Sequence, residues 1–296
     1  MLNPFHIYSP EEEIIDSEVS EKNISLFIKR DDKIHPFISG NKWRKLKHQI
    51  NYAKEHDINN LVTFGGAWSN HILATAAAAA EFGFSSTAFI RGEEINNPVL
   101  SMAKLFGMKL KFVDRESYRN KRDLFNSAFS EENSLFIDEG GRSKLGILGC
   151  TEIITELNQI YDHIFVASGT GTTAAGILNG VEMNHLNTQI HAVPVLKGSD
   201  FLKSDLISWG VDSNKITFHQ DYHFSGYAKS KPELINFIKK FISKTGIMIE
   251  PTYTGKLFFA IYDLIKKDYF NPGSKILVIH TGGLTGLLGH LDKFEE

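Results

Sequence analysis

Lys42 is the residue whose type and position most directly suggest covalent chemistry. It lies in segment 39–45, Ser-Gly-Asn-Lys-Trp-Arg-Lys, where Asn41 is a candidate cap for a helix that begins at Lys42. A lysine in the first helical turn lies at the positive end of the helix dipole, which lowers the pKa of its ammonium and favours the free amine needed for Schiff-base chemistry. The alternative is a solvated basic face formed by the basic residues between positions 42 and 47.

A second candidate is a glycine-rich segment between a predicted apolar strand at 163–167 and a predicted helix that follows it. Glycines let the backbone turn sharply, and the free amides and dipole of a helix N-terminus suit a phosphate. Hydroxyl side chains in the segment add further donors. The candidate phosphate-binding residues are Ser168, Gly169, Thr170, Gly171, Thr172 and Thr173.

The same segment differs from a Walker A loop, because no Gly-Lys-Ser/Thr follows it. Gly169, Gly171 and Ala174 do satisfy the G-x-G-x-x-G/A spacing of dinucleotide-binding folds. The next strand ends near Lys197 instead of the acid expected for a ribose diol, so this alternative is limited to an NADP-dependent oxidoreductase. A tight turn without a ligand is the other alternative.

Segment 65–71, Gly-Gly-Ala-Trp-Ser-Asn-His, opens another predicted helix, which has an alanine-rich body. Ser69 or Asn70 can cap this helix, and the free amides of its first turn could hold a substrate carboxylate. Ser69 and His71 are not a hydrolase dyad, because the sequence G-x-S-x-G of a nucleophile elbow is absent around Ser69. Ordinary capping without a ligand is the alternative.

Two late segments, 250–256 and 280–283, combine hydroxyl-bearing residues with glycine. The second follows a predicted apolar strand, so Thr281 is expected at the carboxyl end of a strand, where open α/β sheets bind ligands. A metal site is not expected, because H-E-x-x-H is absent and the single cysteine, Cys150, cannot build a thiolate cluster.

The elements that position these residues alternate along the chain, which is typical of a parallel α/β architecture covered on both faces. Strands are predicted at 24–30, 60–64, 86–91, 109–113, 135–137, 163–167, 189–195 and 276–280. Helices are predicted at 42–54, 69–82, 98–106, 119–129, 148–161, from 172 onward and at 232–242. The compact series between about 50 and about 145 predicts a separate small lobe.

Composition narrows the class of partner. The 296 residues carry a net charge of −3, which gives no broad electrostatic footprint for nucleic acid or an anionic membrane, so a small molecule is the favoured partner. A lone cysteine makes no internal disulfide, and the acidic N-terminal region lacks the pattern of a secretory signal. We expect no membrane span and a cytoplasmic location.

Taken together, the segments resemble the fold-type II family of pyridoxal 5'-phosphate (PLP) enzymes that contains D-cysteine desulfhydrase and 1-aminocyclopropane-1-carboxylate (ACC) deaminase. The resemblance covers nearly the whole chain, and the ordered set is far more specific than any one motif. The matching residues are 28–32 (IKRDD), 40–42 (GNK), 44–46 (RKL), 69–71 (SNH), 139–141 (EGG), 168–173 (SGTGTT), 226–227 (GY), 253–256 (YTGK) and 280–283 (HTGG).

The resemblance implies a complete cofactor site. Lys42 would carry PLP as an imine, the 168–173 loop would hold its phosphate, and Asn70 would contact its ring hydroxyl. Thr281 would face the ring nitrogen, and a neutral threonine partner implies a milder electron sink than an acidic one.

The resemblance also implies the substrate side of the site. Ser69, Asn70 and His71, with the amides near them, would bind the substrate carboxylate. Tyr227 and Tyr253 would lie beside the reacting carbons, where their hydroxyls could transfer protons. With the lysine, Ser69 and the two tyrosines form the predicted catalytic set, and Tyr253 is also a predicted substrate contact.

The implied fold has two open, twisted, mostly parallel sheets flanked by helices. Residues 1–49 and 146–296 would form a larger PLP-binding lobe, and 50–145 a smaller inserted lobe, with the cofactor between them. The family also implies a homodimer.

The substrate is expected to follow the desulfhydrases. ACC deaminases carry a glutamate directly after the active-site tyrosine, whereas Thr254 stands there in this chain. The resemblance therefore favours β-elimination from a D-amino acid such as D-cysteine over ring opening of ACC. Trp43 and Trp68 depart from the smaller or polar residues usual at those positions, and either bulky ring could narrow or reshape the pocket. A fold that has kept the ligand but lost catalysis is the non-enzymatic alternative.

Overall fold

The structure is a computed structural model that describes residues 7–295. Its strands are β1 (Glu11–Glu13), β2 (Ser25–Lys29), β3 (Asn60–Gly66), β4 (Ser85–Arg91), β5 (Lys109–Val113), β6 (Ser134–Ile137), β7 (His163–Ser168), β8 (Gln189–Pro194), β9 (Ile216–Phe218) and β10 (Lys275–Ile279). Its α-helices are α1 (Ser17–Ser20), α2 (Asn41–Glu55), α3 (Asn70–Phe82), α4 (Pro98–Leu105), α5 (Lys121–Asn126), α6 (Lys144–Thr155), α7 (Thr172–Met183), α8 (Phe201–Ser208), α9 (Pro232–Thr245) and α10 (Thr254–Lys266).

One sheet has six strands in the order β1-β2-β10-β7-β8-β9. All its pairings are parallel except that of β1 with β2. The sequence of the central strand β10 is continuously apolar because both faces of this strand are buried. Ile276 and Val278 pack in the cluster formed with α9 and α10, whereas Leu277 and Ile279 pack in the cluster formed with α6 and α7.

The other sheet has four strands in the order β5-β4-β3-β6, and all its pairings are parallel. Its strands all lie between residues 60 and 137, whereas the six-stranded sheet takes its strands from 11–29 and 163–279. The predicted fold class, two mostly parallel sheets flanked by helices, is confirmed. The lobe limits, 1–49 with 146–296 and 50–145, stay a prediction.

The start of α2 differs from the prediction. Gly40, not Asn41, is the N-cap residue. No side chain makes a capping hydrogen bond at this end of the helix. Gly40 has φ +55°, and a Cβ there would lie 2.0 Å from the carbonyl oxygen of Thr281. The close approach of the two segments therefore requires glycine at position 40. The side-chain amide of Asn41 does not cap the helix and donates to the Thr173 hydroxyl at 3.0 Å.

Two other predicted helices have different limits. The helix predicted at 148–161 begins earlier, because the Ser143 hydroxyl accepts the Gly146 amide at 2.9 Å and caps the first turn of α6. The helix predicted at 119–129 is replaced by a short 3₁₀ turn and α5. Among residues 7–295, no helix is long and apolar enough to cross a membrane.

Candidate active site

A cavity of about 360 Å³ lies where strands of both sheets end. The residues that line it include the last residues of β3, β4 and β7, namely Gly66, Arg91 and Ser168, and Thr281 just beyond β10. The carboxyl ends of parallel strands are where open α/β sheets bind ligands. The cavity is therefore the candidate active site.

Lys42 lines this cavity from the first turn of α2, as the sequence predicts. Its Nζ lies 3.3 Å from the side-chain oxygen of Asn41. Burial, with the nearby charge of Lys45 as a smaller cause, holds the pKa of the Lys42 ammonium well below its usual value. Burial thus shifts Lys42 toward the free amine relative to an exposed lysine.

The alternative of a solvated basic face at 42–47 is wrong. Arg44 and Lys45 are 1% and 3% exposed. Arg44 donates two bonds of 2.7 Å to the Asp31 carboxylate and two more to Glu156, so its role is to anchor α2. Lys45 donates to the Gly140 carbonyl at 3.2 Å and lines the cavity beside Lys42.

The predicted phosphate loop connects β7 to α7. Gly171, with φ +76°, is the N-cap of α7 and supplies no side chain to its free amides. Ser168 Oγ is buried and has no hydrogen-bond partner in the part of the chain that the structure describes. A buried donor without a partner costs free energy, so the site is suited to a ligand that accepts hydrogen bonds.

Five of the six predicted loop residues line the cavity, and Thr172 does not. Thr172 is fully buried, and its hydroxyl lies 3.1 Å from that of Thr170. Thr172 therefore contacts Thr170, which lines the cavity, but does not line the cavity itself.

Ser69, Asn70 and His71 line the cavity together at the N-terminus of α3. Ser69 occupies the N-cap position but makes no side-chain cap bond, which leaves the first amides of the helix free. Asn70 is fixed from the other side, since its side-chain oxygen accepts the Thr285 hydroxyl at 3.2 Å. Gly283 must be glycine there, because a Cβ would lie 2.5 Å from the Asn70 amide nitrogen.

The hydrogen bonds of His71 fix its tautomer. The Thr63 hydroxyl donates to the Ile137 carbonyl at 2.9 Å, so it accepts the Nε2–H of His71 at 2.8 Å. The remaining nitrogen, Nδ1, is an acceptor that is buried without a partner among the described residues. Burial, followed by the charges of Lys42 and Lys45, holds the pKa of His71 well below its usual value, which keeps the ring neutral.

Tyr227 and Tyr253 form a second wall of the cavity, beside the loop. Their ring centroids are 5.9 Å apart in an edge-to-face arrangement. Burial raises the pKa of both phenols, so both remain protonated at neutral pH. Tyr253 also contacts the loop, because a Cβ on Gly169 would lie 3.2 Å from its hydroxyl.

Several charged residues of the cavity were missed by reasoning from the sequence. Arg91 lies over the ring of Tyr118, 5.3 Å from its centroid, and Lys121 lies 3.3 Å from the Asp138 carboxylate. The position of Arg91 at the end of a predicted strand was the signal that could have found it. The missed residues are Lys45, Arg91, Lys121, Asp138, Glu139 and Arg142.

The structure places both tryptophans outside the lining of the cavity. Trp43 is buried against Phe82, with ring centroids 5.4 Å apart, and does not line the cavity. Trp68 is 39% exposed and also stays out of the cavity. Its ring covers Gly289, where a Cβ would lie 2.9 Å from it. Neither ring therefore contributes a surface to the cavity.

Comparison with known proteins decides which ligand this site takes. The family model described as "Pyridoxal-phosphate dependent enzyme" matches residues 13–282. The chain belongs to this family.

Individual members of the PLP-dependent family cover nearly the whole chain. It is 31% identical to the Arabidopsis thaliana protein named bifunctional D-cysteine desulfhydrase/ACC deaminase, mitochondrial, over 90% of this chain and 74% of that protein. It is 31% identical to a putative ACC deaminase of Pyrococcus horikoshii, over 92% and 89%. A solved structure of an ACC deaminase homologue matches with a TM-score of 0.83 and 28% identity, over 97% and 92% of the two chains.

These findings confirm the resemblance, the fold type and PLP as the cofactor, with a PLP-dependent lyase or deaminase as the enzyme class. They decide against the NADP-dependent alternative. The residues present fit the cofactor, because the unpartnered Ser168 hydroxyl and the free amides of α7 face the same cavity as the Lys42 amine. In the part of the chain that is described, no group of three or more His, Cys, Asp or Glu side chains could hold a metal ion.

Proposed function

We propose that this PLP-dependent enzyme eliminates the β-substituent of a small D-amino acid, with D-cysteine as the type substrate. The observation that carries the choice is the position of Thr254. It directly follows Tyr253, where ACC deaminases carry a glutamate by the family resemblance, and it is fully buried outside the cavity. Its hydroxyl accepts the Glu250 amide at 2.9 Å, so this position brings no carboxylate to the substrate.

The cofactor would be held by three groups of this chain. Lys42 would anchor it through Nζ, and Ser168 Oγ with the first amides of α7 would bind its phosphate. Thr281, which lines the cavity just beyond β10, would place its hydroxyl toward the ring nitrogen. Asn70, which Thr285 holds in place, would contact the ring hydroxyl. When bound, PLP supplies an electron sink for the pair of electrons left at the α-carbon.

The substrate would be oriented by the start of α3 and by the two tyrosines. Ser69 and the free amides near it would hold the carboxylate, with His71 as a neutral neighbour that accepts a hydrogen bond at Nδ1. The Lys42 amine, whose pKa burial lowers, would take the α-proton at Nζ. The protonated hydroxyls of Tyr227 and Tyr253 would then give a proton to the departing sulfur.

The reaction is balanced as an elimination followed by hydrolysis. The α-C–H and the β-C–S bonds of D-cysteine break, and a carbon–carbon double bond forms. Hydrogen sulfide leaves with 2-aminoacrylate, which water converts to pyruvate and ammonia. No oxidant, reductant or second substrate is required.

The test combines spectroscopy with product analysis of the purified enzyme. We expect visible absorption from the bound cofactor, a borohydride-reduced adduct located by mass spectrometry on the peptide that contains Lys42, and release of sulfide and pyruvate from D-cysteine. A colourless protein that takes up no added PLP would contradict the site assignment. A protein that binds PLP but turns over no D- or L-amino acid would support the non-enzymatic alternative.

ACC deamination is the second candidate, since the three named relatives carry that activity in their names or title. It would convert ACC to 2-oxobutanoate and ammonia. Assays of 2-oxobutanoate from ACC and of sulfide from D-cysteine, on the same preparation, separate the two. We expect kcat/KM to favour D-cysteine, and a preference for ACC would overturn our choice.

We also propose a homodimer, on the family resemblance, and a cytoplasmic location, on the single cysteine that makes no internal disulfide. Sedimentation of the purified chain tests the dimer, and fractionation of cells tests the location.

A further inference from the structure

Two buried charged residues flank Tyr253 without lining the cavity. Glu250 is 1% exposed and Lys256 is fully buried. The Glu250 carboxylate accepts the amides of Thr252, Tyr253 and Thr254 at 2.7–2.9 Å, which fixes the backbone that carries Tyr253. Lys256 is the third residue of α10, and its side chain contacts a different segment.

The Lys256 ammonium donates to three backbone carbonyls. They are those of Gly226 at 2.8 Å, His223 at 2.9 Å and Val195 at 3.4 Å. Two of these lie in segment 223–228, which presents Tyr227 to the cavity, and the third follows β8 of the main sheet. One side chain therefore ties the Tyr227 segment both to the sheet and to the helix that starts after Tyr253.

Segment 223–228 needs such a tie because its backbone is strained. Phe224, Ser225 and Ala228 have φ of 50°, 73° and 54°, in the left-handed region that non-glycine residues rarely adopt. Gly226, between them, has φ of 119°. Conformations of this kind persist only where surrounding contacts determine them, and they cluster at functional sites.

The charge state of Lys256 matches its partners. An ammonium has three N–H donors for the three carbonyls, whereas a neutral amine has only two. Burial lowers the pKa of Lys256 to about 8, with Glu250 opposing that shift and Lys293 adding to it. His290, on the same C-terminal segment as Lys293, also lies within electrostatic range of Lys256.

We propose that Lys256 is a positioning residue that holds Tyr227 against Tyr253, so that the pair can deliver the proton to the leaving group. This inference rests on the proposed function, because Tyr227 acts on the substrate only if the elimination takes place at this site. Lys256 itself touches neither cofactor nor substrate.

The test is a double-mutant cycle in the holoenzyme with Lys256→Met and Tyr227→Phe. Methionine keeps an unbranched chain and removes the ammonium. We expect Lys256→Met to lower kcat by about 10- to 100-fold, the range for displacing a catalytic group by up to 1 Å, while KM and cofactor absorbance stay unchanged. In the Tyr227→Phe background, the same change should lower kcat by less than about twofold, because the group that it positions is already gone.

Lys29→Met is the matched control. Lys29 is also buried and also holds a backbone carbonyl, that of Ser9 at 2.7 Å, but it lies in β2 and does not line the cavity. Its effect on kcat should be small and the same with or without the Tyr227 hydroxyl. If Lys256→Met lowers kcat equally in both backgrounds, Lys256 acts on stability alone and the proposal is wrong.

A second measurement does not depend on the substrate. Amide hydrogen exchange at 224–228 should speed up in Lys256→Met and stay at the wild-type rate in Lys29→Met. Unchanged exchange there would overturn the positioning role even if no substrate is found. Accelerated exchange without turnover of D-cysteine would instead count against the proposed function. Lys256→Gln keeps two N–H donors on a shorter chain, and it should fall between wild type and Lys256→Met in both measurements.

Discussion

The two walls of the cavity are built in different ways. The phosphate wall is one continuous unit of strand β7, loop 168–173 and helix α7. The tyrosine wall joins side chains from two distant segments, and buried Glu250 and Lys256 hold their backbones in place. The first wall takes its geometry from neighbours in the sequence, whereas the second also needs long-range contacts, those of Lys256 with the Tyr227 segment. We therefore expect substitutions in the two walls to affect different measurements.

The largest effect is expected at Lys42, which faces both walls. Lys42→Ala removes the anchor of the cofactor and the group that takes the α-proton. A positioned acid–base group alone contributes about 10²–10⁴-fold, so we expect kcat to fall by at least about 10³-fold. Steady-state assays of keto-acid release measure this, and a variant with wild-type turnover would remove Lys42 from the mechanism.

Ser168→Ala tests the phosphate wall by itself. The hydroxyl should donate to the phosphate, and a hydrogen bond to a charged group contributes about 1.5–3 kcal/mol, so PLP affinity should weaken by about 10- to 100-fold. The protein without PLP should unfold at the wild-type temperature or above it, because Ser168 Oγ has no described partner to lose. Fluorescence titration with PLP and thermal unfolding are the two measurements.

Ser134→Ala is the matched control for that experiment. Its hydroxyl is also buried, but it already accepts the Asn60 amide at 3.0 Å, far along the chain from the loop. This variant should lose stability and keep its PLP affinity. If Ser168→Ala instead lost stability and kept its PLP affinity, the 168–173 loop would be only a tight turn.

The same contrast explains what the sequence predicts well. Lys42 in a first helical turn, the glycine loop before α7 and Thr281 beyond β10 all follow from residues within a few positions of one another. The alternating apolar segments likewise predicted parallel strands covered on both faces, because such strands are continuously apolar, whereas the division into two sheets came from the family resemblance.

Features that depend on distant contacts were not predicted. Gly40 replaces Asn41 as the cap of α2 because the Thr281 carbonyl lies where a Cβ would be. Trp68 stays out of the pocket because Gly289 leaves room for its ring. The start of α10 depends on the Glu250 carboxylate, and no helix was predicted there. The first two cases need partners that are remote in sequence, whereas the Glu250 carboxylate is only four residues from Thr254.

Gly169→Ala tests the contact between the two walls, and we expect a smaller effect on kcat than for Lys42→Ala. The new methyl would lie 3.2 Å from the Tyr253 hydroxyl, so the ring must shift by a few tenths of an ångström. Since a displacement of 1 Å can cost about 10²-fold, we expect kcat to fall by about 10-fold with little change in PLP affinity. Gly83→Ala is the control, because a Cβ there meets open space and only its φ of +78° is strained. A loss of PLP affinity in Gly169→Ala, without loss of kcat, would show that the walls act independently.

The smallest effect on turnover is expected in a region outside both walls. His163, His191 and His219 form a row of hydrogen-bonded rings, with 3.0 Å between successive nitrogens. Burial lowers the pKa of His191 to about 3 and that of His219 to about 4. Because His163 opens β7, the row starts at the end of the sheet away from the cavity.

The row should make the folded protein sensitive to acid. Between about pH 6.5 and pH 3–4, the unfolded chain binds protons on these histidines that the folded chain does not, so the free energy of unfolding should fall as pH falls. His191→Phe removes one such group and should reduce that slope by up to about 1.4 kcal/mol per pH unit, with kcat at pH 8 unchanged. Urea unfolding at a series of pH values measures the slope. His185→Asn, at an exposed position with φ of 53°, should leave it unchanged, and an equal change in both variants would exclude the buried row as the cause.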